Sequence, residues 1–379
     1  MSQNHPFPRV LLLFLGVLFF ACTTHINAHI IPRVLSSKGV TSTILAKFEL
    51  NEMLGYIIAG LGITTLINKI KYRSLAISSL IIIIIGMTNM MLVQDYTILK
   101  FHGIIISIAY YTYVTITIIH ILEESENKHL ALIIFSLLWI AGYFLVYLLR
   151  PFLTTHINAL LICVTFYMLI IITCLPKSNI IHKTHMISKF SFLMENIELQ
   201  ILTGFMVTYI VFAILWYYEG FAKLNQFPIS NIWSIIYYIF LTILLFIAPI
   251  ILTFKFINKY LMNFILISIL IASFILLPSY GTNLVWNIIL LSLIGLCLWS
   301  IFLGNILILS DKFSNQDYRI VLMIYFTMCA LGMYSGALSS YISYDPTNPQ
   351  NFLFSIFTAS TIFILYYAWC LFTQKLYRG

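Results

Sequence analysis

Apolar stretches of about 20 residues recur along the whole chain, and that is the length an α-helix needs to cross a hydrocarbon core. A first set covers 9–28, 45–67, 75–93, 101–121, 130–149 and 157–175. A second set covers 199–218, 232–254, 261–278, 286–309, 320–341 and 351–372. The runs are continuous and do not alternate apolar with polar, so they predict helices and not the strands of a barrel. Short polar or proline-bearing segments separate them, among them 68–74, 123–129, 150–156, 254–260, 311–319 and 343–351. The longest non-apolar stretch, 176–198, falls between the sets. The pattern predicts an all-α integral membrane protein of about twelve transmembrane helices. Its halves are 1–175 and 199–379, joined by a connector at 176–198.

Shifting the first six spans by about 190 residues lays each over a counterpart in the second six. Ile67-Asn68-Lys69 after the second span then meets Ile257-Asn258-Lys259 after the eighth. Two pseudo-symmetric six-helix units in parallel repeat are expected to pack around a site near the bilayer midplane.

Composition removes the soluble alternatives. Charged residues make up 8% and hydrophobic residues 61% of the 379, against about 25% charged in an ordinary soluble domain. That much charge cannot coat a water-facing surface, so most of the surface faces lipid. The formal charge of +8 does not point to nucleic acid, because the basic residues stand in short clusters between apolar runs. There they set orientation. With the N-terminus inside, only Arg33, Lys38, Lys47, Lys100, Arg150 and Lys223 of the 20 basic residues fall outside. The expectation is a bacterial inner-membrane protein with both termini cytoplasmic. Cys22, Cys163, Cys174, Cys297, Cys329 and Cys370 lie in apolar runs without paired spacing, as buried reduced thiols do. Arg9, the run from Val10 and Phe20-Ala21-Cys22 resemble a secretory or lipoprotein signal. Bulky phenylalanines fit a cleavage pocket poorly, and removal would break the repeat, so this run is expected to be the first helix.

The segment between spans two and three reads Thr64-Thr65-Leu66-Ile67-Asn68-Lys69-Ile70-Lys71-Tyr72-Arg73. It resembles the Gly-x-Leu-x-Asp-Arg-x-Gly-Arg signature of the major facilitator superfamily. Leu66 matches, Lys69 and Arg73 keep the basic character, and Asn68 stands where an aspartate is usual. The resemblance implies a transporter without cofactor or resident metal, working by alternating access. It also implies that Leu66, Asn68, Lys69 and Arg73 take part in the conformational change. Lys100 falls near the place of an arginine common in the family's fourth helix. Ala141-Gly142-Tyr143 lacks the proline that follows this glycine in drug exporters.

A charge near the bilayer centre costs about 2.5–3.5 kcal/mol on insertion scales, so each one needs a reason. Cys22, His25 and His29 share one helix face. They can bind solute or a soft metal, or His25 and His29 can simply end the helix at the headgroups. Glu49 and Glu52, beside Lys47, are expected at the start of helix two. Acids there suit the helix dipole; alternatively Glu52, the deeper one, takes and releases a proton in a poorly hydrated cavity. Lys100 and His102 open helix four, with Tyr110, Tyr111 and Tyr113 further in. This set can hold an anionic or polar solute, or form an interfacial aromatic belt. The second half offers neutral groups, among them Trp216, Tyr237, Tyr238, Trp286, Asn287, Asn305, Tyr334 and Ser335. Met87, Met90 and Met91 read as packing residues, and Gly332 and Gly336 as a place of close helix approach.

No Gly-Lys-Ser/Thr phosphate loop, nucleophile elbow or His-Glu-x-x-His motif is present. Two function classes remain. One is a monomeric transporter, either secondary active and symporter-like with protons as the coupling ion or facilitative, whose other partners are a small solute and the bilayer. The other is a polytopic enzyme acting on lipid-linked sugars, a polymerase or ligase, which needs a larger outward loop than any here.

Overall fold

The computed structural model describes residues 7–27, 42–66, 70–92, 96–155, 157–175, 199–224, 259–280, 283–313, 318–343 and 349–376, together with Leu35, Gly39, Val40 and Ile247. The expected span at 232–254 and the connector 176–198 lie outside the described residues, apart from Ile247.

The described helices are α1 (Phe7–His25), α2 (Ser42–Leu66), α3 (Tyr72–Leu92), α4 (Tyr96–Glu124), α5 (Lys128–Thr155), α6 (Ile157–Cys174), α7 (Leu199–Leu224), α8 (Lys259–Tyr280), α9 (Leu284–Lys312), α10 (Tyr318–Ser343) and α11 (Pro349–Leu376). Each contains one of the expected apolar runs, and no strand occurs among the described residues. Six described stretches are by themselves long and apolar enough to cross a membrane: Tyr72–Asn89, Lys100–Glu124, Lys128–Val146, Lys259–Leu277, Ile288–Lys312 and Arg319–Ile342. Lipid offers no hydrogen bonds, so the polar groups along these helices bond inward. Thr112, Thr115, Ser273 and Ser360 each donate to the carbonyl four residues back, at 2.7–2.8 Å. Helix starts follow capping rules. Asn283 Oδ1 accepts from the backbone N–H of Val285 (3.1 Å) and Trp286 (3.4 Å) to open α9. Asn127 Oδ1 accepts from Leu130 N–H at 3.1 Å to open α5.

The chain divides into two compact units, Met1–His185 and Met186–Gly379. In the first, α1 packs on α5 and α6, α3 packs on α4 and α6, and α2 lies along α4. In the second, α7 packs on α10 and α11, and α8 packs on α9 and α11. Advancing the helices of the first unit, α2 aside, by one repeat of about 190 residues reproduces the second unit's pairing. This is the architecture of two pseudo-symmetric six-helix halves.

The repeat is visible in one packing detail. Gly142 of α5 and Gly332 of α10 stand about 190 residues apart. A Cβ on Gly142 would meet Ala21 Cβ at 2.7 Å and Leu18 O at 2.9 Å, while one on Gly332 would meet Thr208 Oγ1 and Phe205 O. Both glycines therefore let the pivotal helix of their unit come within backbone distance, as small residues do between membrane helices. Gly336 meets Tyr209 O in the same way, so the reading of this glycine pair as a close approach agrees with the structure.

Two boundaries differ from expectation. Helix α2 opens at Ser42 and has no acid in its first turn. Glu52 is thus about 15 Å along the axis from its start, and the helix-dipole role for Glu49 and Glu52 is withdrawn. Arg73 belongs to the first turn of α3 and not to a loop, since Lys71 O already accepts from Leu75 N–H at 3.1 Å.

Candidate functional site

In the first unit, polar and aromatic groups gather between α1, α2 and α4, toward the end at which α1 closes and α2 opens. Gly55 makes this possible: a Cβ there would meet Ile104 O at 2.6 Å and Ser107 Cβ at 2.9 Å, so α2 and α4 run at backbone distance. The two helices are in parallel register, with Phe48 beside Gly103 and Tyr56 stacked on Tyr111 at 5.3 Å and 24°. One turn before Tyr56 on the same face is Glu52. Its Oε1 accepts from Asn27 Nδ2 at 3.1 Å. Asn27 follows α1 in a wider turn and is buried at 6% exposure. Its Oδ1 is buried with no hydrogen-bond partner among the described residues. Glu52 makes no ion pair among the described residues.

Behind this pair lies an aromatic wall. Tyr110 is buried and donates to Thr23 O at 3.1 Å, with Met87 Sδ at 3.3 Å. Phe20 sits 4.2 Å from Tyr113 and 5.3 Å from Tyr110. His25 meets the Trp139 ring edge-on at 6.0 Å, and Cys22 Sγ points at Gly142 O at 3.6 Å. Both contact α5. Among the described residues no three His, Cys, Asp or Glu side chains group to hold a metal ion, while His29 lies outside them. The described Cys22, Cys297 and Cys329 are buried with free thiols.

Other expected groups are scattered. Lys100 is exposed, and Glu49 is half-buried one turn before Glu52. His102 Nδ1 lies 2.8 Å from Ile98 O, which can only accept, so Nδ1 carries a proton. Its Nε2 lies 3.3 Å from Asn89 Nδ2, so the ring bridges α4 to α3. Trp286 is 49% exposed on α9. The side chains of Leu66, Trp216 and Asn287, and residues Asn68 and Lys69, lie outside the described residues, as do Tyr237, Tyr238 and the side chains of Met90 and Met91. Arg73 is half-buried, with its Nε buried and unbonded.

Three features escaped sequence reasoning. Asn27 is the first; an asparagine at the end of an apolar run looks like an ordinary helix terminus. The second is His120, buried on α4, stacked on Tyr72 at 4.2 Å, with Glu123 and Glu124 at 3.9 and 4.0 Å. Its three- and four-residue spacing to those acids was the available signal. The third is a neutral ladder in the second unit, of which the sequence singles out Asn305 but not its partners. Asn263 Nδ2 donates to Asn305 Oδ1 at 2.8 Å, Asn305 Nδ2 lies 3.5 Å from Tyr325 Oη, and all three residues are buried. It is closed at one end by the exposed pair Lys259–Asp311 at 2.7 Å.

Comparison with known proteins places this geometry. No protein-family model matches the chain. An uncharacterized protein of Rickettsia prowazekii (strain Madrid E), RP255, is 40% identical over the full length of both chains. Among solved structures, the proton:xylose symporter XylE, a major facilitator superfamily protein solved with 6-bromo-6-deoxy-D-glucose, matches with a TM-score of 0.70. The identity is 15%, over 99% of this chain and 96% of that one. The human organic anion transporter MFSD10 matches with a TM-score of 0.65 at 14% identity, over 96% and 99%. The fold of this multi-pass membrane protein is that of the major facilitator superfamily.

Proposed function

We propose that this chain, which belongs to one protein family with RP255 of Rickettsia prowazekii, is a secondary transporter that couples movement of a small solute to protons through Glu52. The whole-length likeness to major facilitator transporters supports transport over action on lipid-linked sugars. Symport with protons is what the name of one neighbour describes, and the same coupling is proposed here, by alternating access. The Asn27–Glu52 pair carries the reading. A carboxyl group about 15 Å along a membrane helix needs compensation. An ordinary structural carboxylate finds it in a lysine or arginine, whereas half-buried Glu52 has, among the described residues, one neutral amide. A group held that way is suited to exist both with and without its proton.

The remaining assignments carry over the reading of the sequence: Tyr110, Tyr111 and His25 are proposed as solute contacts of the first unit, and Trp216, Trp286 and Asn287 as solute contacts of the second. Glu49, Lys100 and His102 flank the entrance. Leu66, Asn68, Lys69 and Arg73 act in the conformational step. The protein is a monomer in the bacterial inner membrane with both termini cytoplasmic, which puts the Asn27 end of the first unit outside.

Uptake by proteoliposomes of a panel of amino acids, sugars, organic acids and metal ions identifies a solute that the wild type accumulates. Glu52→Gln is then compared with and without an imposed pH gradient. Accumulation should fall to the downhill level, while exchange of the same solute continues. Unchanged gradient-driven accumulation would overturn the coupling role.

A further inference from the structure

Asn27 is bonded on one side only. Nδ2 donates to Glu52 Oε1 at 3.1 Å, while Oδ1 is buried and accepts from no donor among the described residues. A buried polar atom without a partner costs about 1–3 kcal/mol. A bare oxygen at such a place calls for a donor, and a protonated carboxyl group is one. Among the described residues, the group already lying against this amide that can become an O–H donor is Glu52 itself. The terminal torsion of asparagine is broad and roughly two-fold, so a half-turn exchanges Nδ2 and Oδ1 without moving the rest of the side chain.

We infer that Asn27 is the positioning residue of the proton site and bonds Glu52 in both of its charge states. With Glu52 ionised, Nδ2–H donates to the carboxylate across the 3.1 Å contact of Nδ2 with Oε1. When a proton from water adds to a Glu52 oxygen, charge falls from −1 to zero and one O–H bond forms. The amide turns over, and that O–H donates to Oδ1. Release breaks the same O–H bond, returns the proton to water on the other side and restores the first arrangement. Each state then has a partner where a fixed donor would serve only one.

The surroundings leave this task to Asn27. On α2, Glu49 and Tyr56 are near enough to act on Glu52 electrostatically, and Lys47 is exposed. On α4, Tyr110 is committed to Thr23 O, Tyr111 is stacked on Tyr56, His102 is bonded to Asn89 and Lys100 is exposed. On α1, Cys22 and His25 contact α5.

The inference rests on Glu52 as the proton carrier, and the test separates the two claims. Infrared difference spectra of the full-length protein in liposomes are recorded across pH. The carboxylic C=O band of Glu52 is identified by its loss in Glu52→Gln. In Asn27→Leu the O–H loses its acceptor, and this band should move to higher frequency. Should that variant fail to fold, Asn27→Asp keeps the shape of the side chain. Two carboxyl groups sharing a site lose protons in two macroscopic steps, so the single titration of the Glu52 band should split in two. A band unmoved in Asn27→Leu, or a single step in Asn27→Asp, overturns the role of Asn27 and leaves Glu52 as carrier. Absence of a Glu52 band at every pH overturns both.

Discussion

Gly332→Ala tests whether the contact of α7 with α10 is as close as the structure draws it. The new methyl group would fall on Thr208 Oγ1 and Phe205 O. Thr208 can rotate, but Phe205 O belongs to the helix backbone, so α10 must withdraw. Overpacking of this kind costs about 1–3 kcal/mol. Withdrawal also stretches the bond from Thr208 Oγ1 to Cys329 O, now 2.9 Å, and an interhelical bond in a membrane averages about 0.6 kcal/mol. Alanine returns up to about 1 kcal/mol of helix propensity. The net loss is about 1–2 kcal/mol. Gly62→Ala is the internal control, because nothing lies within 4 Å of its added Cβ, and it should be neutral or stabilising. Reversible unfolding of the purified variants in mixed micelles measures the difference, with Gly142→Ala expected to behave like Gly332→Ala. If Gly332→Ala is no less stable than Gly62→Ala, the backbone-distance contact, and the repeat argument built on it, is wrong.

Asn305→Leu should cost about 1–3 kcal/mol, since it takes one of its buried partners from the Asn263 amide and leaves Tyr367, and adding Asn263→Leu should recover part of that. Additive losses in the double-mutant cycle would show that the two amides do not pair. In a cysteine-free variant, single cysteines placed in 176–198 should stay unlabelled by a membrane-impermeant reagent in intact cells, and those in 343–351 should react; the reverse pattern would refute the proposed orientation.

Much of the architecture was legible because lipid simplifies the code. Continuous apolar runs can only be helices there, so span positions followed from hydropathy, and Gly332 followed from the demand for small residues at helix contacts. The start of α2 was not legible. Lys47, Glu49 and Glu52 resemble the polar edge of a span, yet the helix begins at Ser42, because Thr43-Ile44-Leu45-Ala46 before them continues it. Depth was misjudged for that reason. Pairing across helices was not legible either. Nothing local links Asn27 to Glu52 or Asn263 to Asn305, since residue partners between helices depend on rotation and register. Glu52 stood out because a lone acid in an apolar run is conspicuous, and Asn27 stayed hidden because a neutral amide there is not.

The two units share a framework and differ in chemistry, and the difference bears on how the protein works. At the offset of about 190 residues, Thr242 stands at the register of Glu52, Tyr217 at that of Asn27 and Phe246 at that of Tyr56. The second unit thus has no acid to match Glu52. Conversely, Asn263, Asn305 and Tyr325 of the neutral ladder fall on Arg73, Thr115 and Phe135 of the first. The packing glycine survives at matching places in Gly142 and Gly332, while these polar groups do not. Helix pairing must be kept in both units for either to hold together in lipid, whereas a charge-changing carboxyl group is needed once per proton carried. A second acid at the matching register would add another insertion cost of about 2.5–3.5 kcal/mol without a further task. On the coupling proposed through Glu52, proton chemistry would belong to the first unit alone, and the neutral hydrogen bonding of the second would not have to change charge.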